Sequence, residues 1–438
     1  MPTTPVPVLW ALALASLVLP VALCMGGAAP VAKPAFLLLV AAVSALLARR
    51  HAGGYLAFLL CLVMLTPGLR HLVDWYAGYS QSNPMMLAPY AAILVALPTT
   101  GLYLLNQRRY TGLCAVMLGL IAIGVWITAL TGLIQEPLLT ALRWVCPILL
   151  ALYIWARAEE LPGMRASVRR TLRVMLPLIA AYGLVQFVSI LPWDAYFMER
   201  APISSIGFPQ PFAVRVFSTM NHSGSFAAAL ATGILLLLPR LRWYDFVSVL
   251  LACFALFVTT QRSAMGALAL TVALLAVIMR SRTLRRRLMA LVLTIAFAVV
   301  VAVAIPGLGD RLLGSVASVA ELKRDESAQQ RLAQYDALPA RIEERPLGWG
   351  LAWSLNPLNQ RTEEDAELDS GVIDILLSFG IPGGAAYLAA LAWLLMTGWR
   401  IASQLPSRTA KAELGVVLFG LSQLPFGSQH AGEHGIFL

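Results

Sequence analysis

RAEELPGMRASVRRTLR (residues 157–173) is a strongly basic stretch set between the apolar runs 139–156 and 172–191. It is the longest of six such clusters, the others being 49–50, 108–109, 240–242, 280–287 and 400–411, and each follows an even-numbered apolar run. Loops kept in the cytosol hold Lys and Arg, whereas exported loops do not. The alternation therefore predicts a polytopic membrane protein with its N-terminus inside and its remaining polar loops facing outward. Any chemistry is to be sought in those outward loops.

Composition agrees. Only 12% of the 438 residues are charged, against about a quarter in a soluble chain, while 59% are hydrophobic and the mean hydropathy is +0.76. The six clusters hold 19 of the 32 Lys and Arg, so the formal charge of +10 reflects topology and contact with anionic lipid. Nucleic acid is not an expected partner. The five cysteines, Cys24, Cys61, Cys114, Cys146 and Cys253, all lie in apolar runs without a CxxC pair, so neither a disulfide framework nor a zinc site is indicated. The opening MPTTPVPVLW lacks the basic region of a cleaved signal, and the first apolar run is expected to be a retained span.

Runs of spanning length fall at 7–25, 34–48, 53–68, 86–105, 111–131, 139–156, 172–191, 223–239, 243–260, 263–279, 288–305, 371–399 and 412–426. The expected fold is an all-α bundle of about twelve or thirteen transmembrane helices. Its parts are an N-terminal bundle over 1–305 that includes an outward loop at 191–222, a large outward loop over 306–370, and C-terminal helices over 371–438. Within the large loop, Leu332, Tyr335, Leu338 and Ile342 recur at spacings of three, three and four, which suits an amphipathic helix; Pro339 leaves one helix or two short ones open. ERPLGWGLAW (344–353) is expected to be a Pro/Gly turn with exposed aromatics, and RTEEDAELDS (361–370) an acidic approach to the next helix.

Charges near helix ends in a membrane need a reason. Arg262, in TTQRSAMGALAL, is expected at a tight outward turn, where it snorkels or binds an anion. Arg215, in AVRVFSTMNHSGSFAAAL, precedes a helix start, and N-terminal N–H groups with an arginine make a phosphate cradle. Ser218, Asn221, His222 and Ser223 nearby serve equally well as N-cap residues. Arg331 and Arg341 fall on the amphipathic segment, whose solvated face accounts for charge without function. Asp369 stands immediately before a helix, the usual place of an N-cap, and Asp374 lies one turn deeper. His430, Glu433 and His434 match metal-ligand spacing only loosely. No Walker loop, dinucleotide fingerprint or HExxH is present, and no cofactor or metal is expected.

Four stretches in order, RVFSTMNHSGSFAA (215–228), TTQRSAMGAL (259–268), QRLAQYDALPARIEERPLGWG (330–350) and LDSGVIDILLSFGIPG (368–383), resemble the O-antigen polymerase and ligase superfamily. The resemblance implies a GT-C-like membrane glycosyltransferase of the bacterial inner membrane, with a periplasmic active site and a polyprenyl-diphosphate-linked glycan as donor. Its other partners would be a glycan or lipid acceptor, the bilayer, and a chain-length regulator. Where ligases typically show His-Asn, this chain has Asp369 and Ser370; polymerase-like members carry Asp there, so the resemblance leans toward polymerisation. Under it, Arg215 and Arg262 stabilise the leaving diphosphate and Asp369 is the base or acceptor-orienting group. Arg331, Arg341, Asn221, His222, Tyr335 and Trp349 would bind substrate, with Trp193 and Trp353 as further surfaces for sugar stacking. The alternatives are a ligase that moves finished glycan to lipid A core or another acceptor, and a transporter of lipid-linked sugar. The absence of internal repeats ranks the transporter lowest.

Overall fold

The computed structural model describes residues 6–104, 111–201, 206–279, 289, 326–353, 370–405, 407–427 and 431–437. In chain order its helices are α1 (Val6–Met25), α2 (Ala29–Arg50), α3 (Ala52–Ala77), α4 (Ala88–Leu94), α5 (Leu97–Leu104), α6 (Thr111–Ala129), α7 (Gln135–Ala156), α8 (Leu161–Val188), α9 (Pro192–Arg200), α10 (Ser223–Leu237), α11 (Trp243–Val258), α12 (Arg262–Met279), α13 (Glu326–Glu344), α14 (Gly371–Gln404), α15 (Arg408–Gln423) and α16 (Gly432–Phe437). Among the described residues no strand forms, only an isolated bridge between Gly207 and Val214. Among the described residues seven helical segments are long and apolar enough to cross a membrane, and shorter apolar helices accompany them.

Each expected run coincides with helix except 288–305, which apart from Met289 lies outside the described residues. The run 86–105 is not one rod. Pro89 and Pro98 lie in the first turns of α4 and α5, where a missing N–H costs little, so each opens a new short helix. Large apolar side chains such as Val18, Leu38, Trp126 and Leu178 point away from the packed interior. A bilayer requires such faces and water does not tolerate them over this extent.

The chain divides into two compact units, residues 1–106 with 149–261 and residues 107–148 with 262–438. In the first, α3 packs along α8, α8 along α11, and α1 and α2 along α3. Small residues set the approach: a Cβ on Gly53 would stand 2.6 Å from Ser167 Oγ, and one on Gly233 2.7 Å from the Leu176 side chain. Its basic clusters at 49–50, 157–173 and 240–242 gather at one end. There Arg157 donates to the Arg49 carbonyl at 3.1 Å, and Arg173 pairs with Asp245, whose carboxylate also accepts the Arg242 N–H. The turn 206–222 lies at the other end of the same helices.

In the second unit α14 packs against α6, α13 and α15, and α12 against α15. The helix α14 breaks at Gly380, whose φ of 68° and ψ of −174° suit glycine alone. Pro382 adds to the break, because it has no N–H to offer the Ser378 carbonyl one turn back.

Candidate functional site

Breaking a helix exposes backbone groups that must find other partners. Here the loop 345–353 supplies them. Trp349 N–H donates to the Leu377 carbonyl at 2.7 Å, Gly350 N–H to the Ser378 carbonyl at 3.1 Å, and Ile381 N–H to the Pro346 carbonyl at 3.1 Å. The next residue docks on α6: Leu351 N–H reaches the Gly124 carbonyl at 3.0 Å, and its own carbonyl accepts from Thr128 Oγ1 at 2.6 Å. Gly348 and Gly350 have φ of 96° and 87° and lie flat on backbone, so no side chain fits either. The family-like Pro-x-Gly-x-Gly pattern is thus a backbone plug in the break of α14.

The plug corrects the expectation of exposed aromatics. Trp349 and Trp353 are 8% and 3% exposed and form a core with Ile373 and Leu377, onto which Tyr335, Leu338 and Ile342 of α13 pack. A buried indole has no open face for a sugar. Instead, Arg345 stacks its guanidinium 4.4 Å from the Trp349 ring centre and Arg341 lies 5.4 Å from that of Trp353. Arg345 is exposed and went unrecognised in the sequence; its signal is the four-residue spacing Arg341, Arg345, Trp349, Trp353.

Pro339 does not split α13, which runs unbroken from Glu326 to Glu344. Arg331 lies on it, its side chain outside the described residues. Tyr335 bonds through its hydroxyl to Ser370 Oγ at 2.8 Å. Ser370 is fully buried and caps α14, accepting from Ile373 N–H, so the cap expected of Asp369 falls to its neighbour. Asp369 itself and His430 lie outside the described residues. Asp374 accepts from Ser378 Oγ at 3.4 Å.

In the first unit the turn 215–222 stands on a buried polar network. Gln186 of α8 accepts from Phe217 and Ser218 N–H at 3.1 and 2.9 Å, while Ser218, at φ 56°, donates to the Ile179 carbonyl at 2.6 Å. Thr219 donates to the Met64 carbonyl of α3 at 2.6 Å. Gln186 and Tyr182 each donate to Asp194 Oδ2 at 2.8 Å, and Trp193 donates to the Tyr182 hydroxyl at 2.7 Å, so Trp193 is committed to this network. His71 stands 3.0 Å from Asp194 Oδ1 through Nδ1 and 3.1 Å from Asn221 Oδ1 through Nε2. Beside it, Asp74 is held by Lys33, Arg70 and Asn83, and Arg70 also donates to the Ser80 carbonyl, which fastens the loop after α3.

None of His71, Arg70, Asp74, Gln186 or Asp194 was singled out from sequence. The apolar run ends at residue 68, whereas α3 continues to Ala77 and carries Arg70, His71 and Asp74 with it. Charge on the last turns of a spanning helix was the available signal.

Arg215 donates its backbone N–H to the Ile206 carbonyl at 2.9 Å, next to the Gly207–Val214 bridge. Its side chain is exposed and makes no hydrogen bond or ion pair with a described residue. His222 is the N-cap of α10, accepting Gly224 N–H on Nδ1 at 2.9 Å, so that nitrogen serves the helix. Arg262 opens α12 after the three-residue turn 259–261, in which Thr260 has φ 57°. Its neighbours are pinned, Gln261 to Ser223 Oγ and the Ser263 carbonyl by Gln423, each at 2.7 Å. Arg262 is half-buried and engaged by other residues. Among the described residues no three His, Cys, Asp or Glu side chains group as metal ligands, and all five cysteines are free thiols.

Apolar helices with lipid-suited faces, carrying ordered polar turns and a plugged helix break, define a polytopic all-helical membrane protein. Residues 247–388 match the model of the O-antigen ligase family, and this supports the O-antigen ligase and polymerase superfamily for the chain, with glycosyltransferase-type activity on lipid-linked glycans as its implication. The matched segment includes Arg262, Arg331, Tyr335, Arg341, Trp349 and Asp369, and begins after Arg215, Asn221 and His222. No curated protein and no solved structure matches the chain.

Proposed function

We propose that the chain polymerises polyprenyl-diphosphate-linked oligosaccharide repeat units into surface polysaccharide or O-antigen at the periplasmic face of the inner membrane. What supports a lipid-linked glycan reading is the O-antigen ligase family match over 247–388; the preference for polymerisation comes from the sequence resemblance alone, in which Asp369 and Ser370 take the place where ligases typically show His-Asn. An acceptor hydroxyl attacks the anomeric carbon, its proton passes to a base, and the bond to the diphosphate breaks with the electron pair leaving on phosphate oxygen. Guanidinium groups stabilise that departing charge. Arg262 and Arg215 are assigned this role, and the uncommitted, exposed side chain of Arg215 is what a ligand-binding arginine requires. Arg331 and Arg341 are assigned to donor phosphate or acidic glycan groups.

Asp369 is assigned as the base. Since Ser370 already caps α14, Asp369 is not needed there. Asp369→Asn should lower turnover about a hundredfold or more while leaving the donor KM close to that of the parent. Unchanged turnover would remove Asp369 from the mechanism. Tyr335 and Trp349 support this helix entry, Tyr335 through its bond to Ser370 and Trp349 as part of the Trp core.

Transfer of finished glycan to lipid A core or another acceptor is the second reading, favoured by the family's own description as O-antigen ligase. Deletion of the gene separates the two. Single repeat units should accumulate on the lipid carrier if the chain polymerises; long glycans stranded on the carrier would make it a ligase.

A further inference from the structure

His71 and Asp194 are both fully buried, and burying such groups is costly unless every polar atom has a partner. The imidazole is fixed on all sides. Phe197 stacks on it with ring centres 4.0 Å apart and Phe217 meets it edge-on at 5.7 Å, while its two nitrogens face Asp194 and Asn221. Asp194 is held in turn by Tyr182 and Gln186. The chain of contacts thus runs from a buried carboxylate to Asn221, which is half-buried at the polar turn.

At Asn221 the network ends unsaturated. With Oδ1 turned to His71, the carboxamide N–H groups meet, among the described residues, only the Met86 sulfur, at 3.6 Å. A thioether is a weak acceptor, and an amide nitrogen has two hydrogens to give.

We propose that His71, backed by Asp194, is a positioning residue that turns the Asn221 carboxamide so that its N–H donates to an oxygen of the lipid-linked glycan donor. This rests on the glycosyltransferase reading above. The contact adds binding to a donor oxygen, so its loss appears chiefly in KM.

Two substitutions at one position separate this role from a structural one. In His71→Gln the terminal amide reaches about where Nε2 stands and can still orient Asn221, whereas in His71→Asn it reaches only the place of Nδ1 and can serve Asp194 alone. The full-length protein is reconstituted in vesicles with polyprenyl-diphosphate-linked glycan extracted from cells lacking it, and glycosidic bond formation is followed. With parent activity present, His71→Asn should raise the donor KM about tenfold with a smaller change in kcat, and His71→Gln should stay within about twofold. Asn221→Ala should raise the donor KM as His71→Asn does, and combining the two should add nothing further. A near-normal His71→Asn beside a defective His71→Gln overturns the proposal, as does multiplication of the two effects in the double variant. Should the His71 variants fail to accumulate in the membrane, Asn221→Ala decides alone: an unchanged donor KM overturns the proposal and a raised one supports it. Failure of the parent protein to form any glycosidic bond would instead overturn the function on which the inference rests.

Discussion

Arg262→Ala is expected to reduce glycosyl transfer at least a thousandfold, with the protein still present in the membrane at the parent level. A guanidinium that neutralises a departing phosphate oxygen acts mainly in the transition state, and losses of about 10³ or more follow when such a group is removed. The local structure argues that the fold survives. Arg262 is half-buried at the first position of α12, and the turn before it is held by bonds from Thr259 to the Leu256 carbonyl, from Gln261 N–H to Thr259 and from the Gln261 side chain to Ser223, none of which includes an atom of Arg262. Lysine should not restore activity, because a point charge cannot reproduce the planar two-pronged contact. Arg215→Ala should show the same loss, measured by transfer from the lipid-linked donor beside immunoblots of the membrane fraction. Retained activity in both variants would remove the arginines from the chemistry.

Gly380→Ala is expected to destabilise the second unit by about 3 kcal/mol or more. Two penalties combine. The residue sits at φ 68° and ψ −174°, where a Cβ is strained, and the added methyl would run into the Pro346 carbonyl and the backbone of Leu347 and Gly348. The loop would have to leave the helix break, stranding the carbonyls of Leu377 and Ser378 and uncovering the Trp349 and Trp353 rings. The checks are a lower midpoint of thermal unfolding in detergent and increased quenching of indole fluorescence by a soluble quencher. A parent-like midpoint would show that the plug does not hold the helix entry.

The helices were legible because a spanning segment cannot hide its apolar length. A bilayer demands some twenty apolar residues in sequence, and each such run that is described became helical. Two proline effects were less legible. Pro339 lies inside α13, where packing of Leu338 and Ile342 on the Trp core offsets an interior proline's cost of about 3 kcal/mol. Pro382 does break α14, but only together with Gly380 and a loop that takes up the freed groups. Propensity alone does not separate these cases, since the deciding partners come from elsewhere in the chain.

The candidate site was legible in its arginines and obscure in its supports. Arg215 stands out as a charge beside a helix start, while the network beneath it joins His71, Gln186, Asp194 and Asn221 across as many as 150 positions of sequence. Each alone looks like an ordinary polar residue at a helix end. Similarly, Pro and Gly around Trp349 suggest a surface turn, because such residues usually mark one; here the glycines serve close backbone contact and the indoles are buried.

The central claim is that this chain forms glycosidic bonds from a diphosphate-linked lipid donor by means of arginine charge. Its most direct test is the purified protein in vesicles, supplied with polyprenyl-diphosphate-linked glycan and scored for both bond formation and release of polyprenyl diphosphate. The account predicts equal amounts of new linkage and free lipid diphosphate with the parent protein, and neither with Arg262→Ala. Movement of the lipid-linked glycan across the bilayer without any new linkage would contradict it.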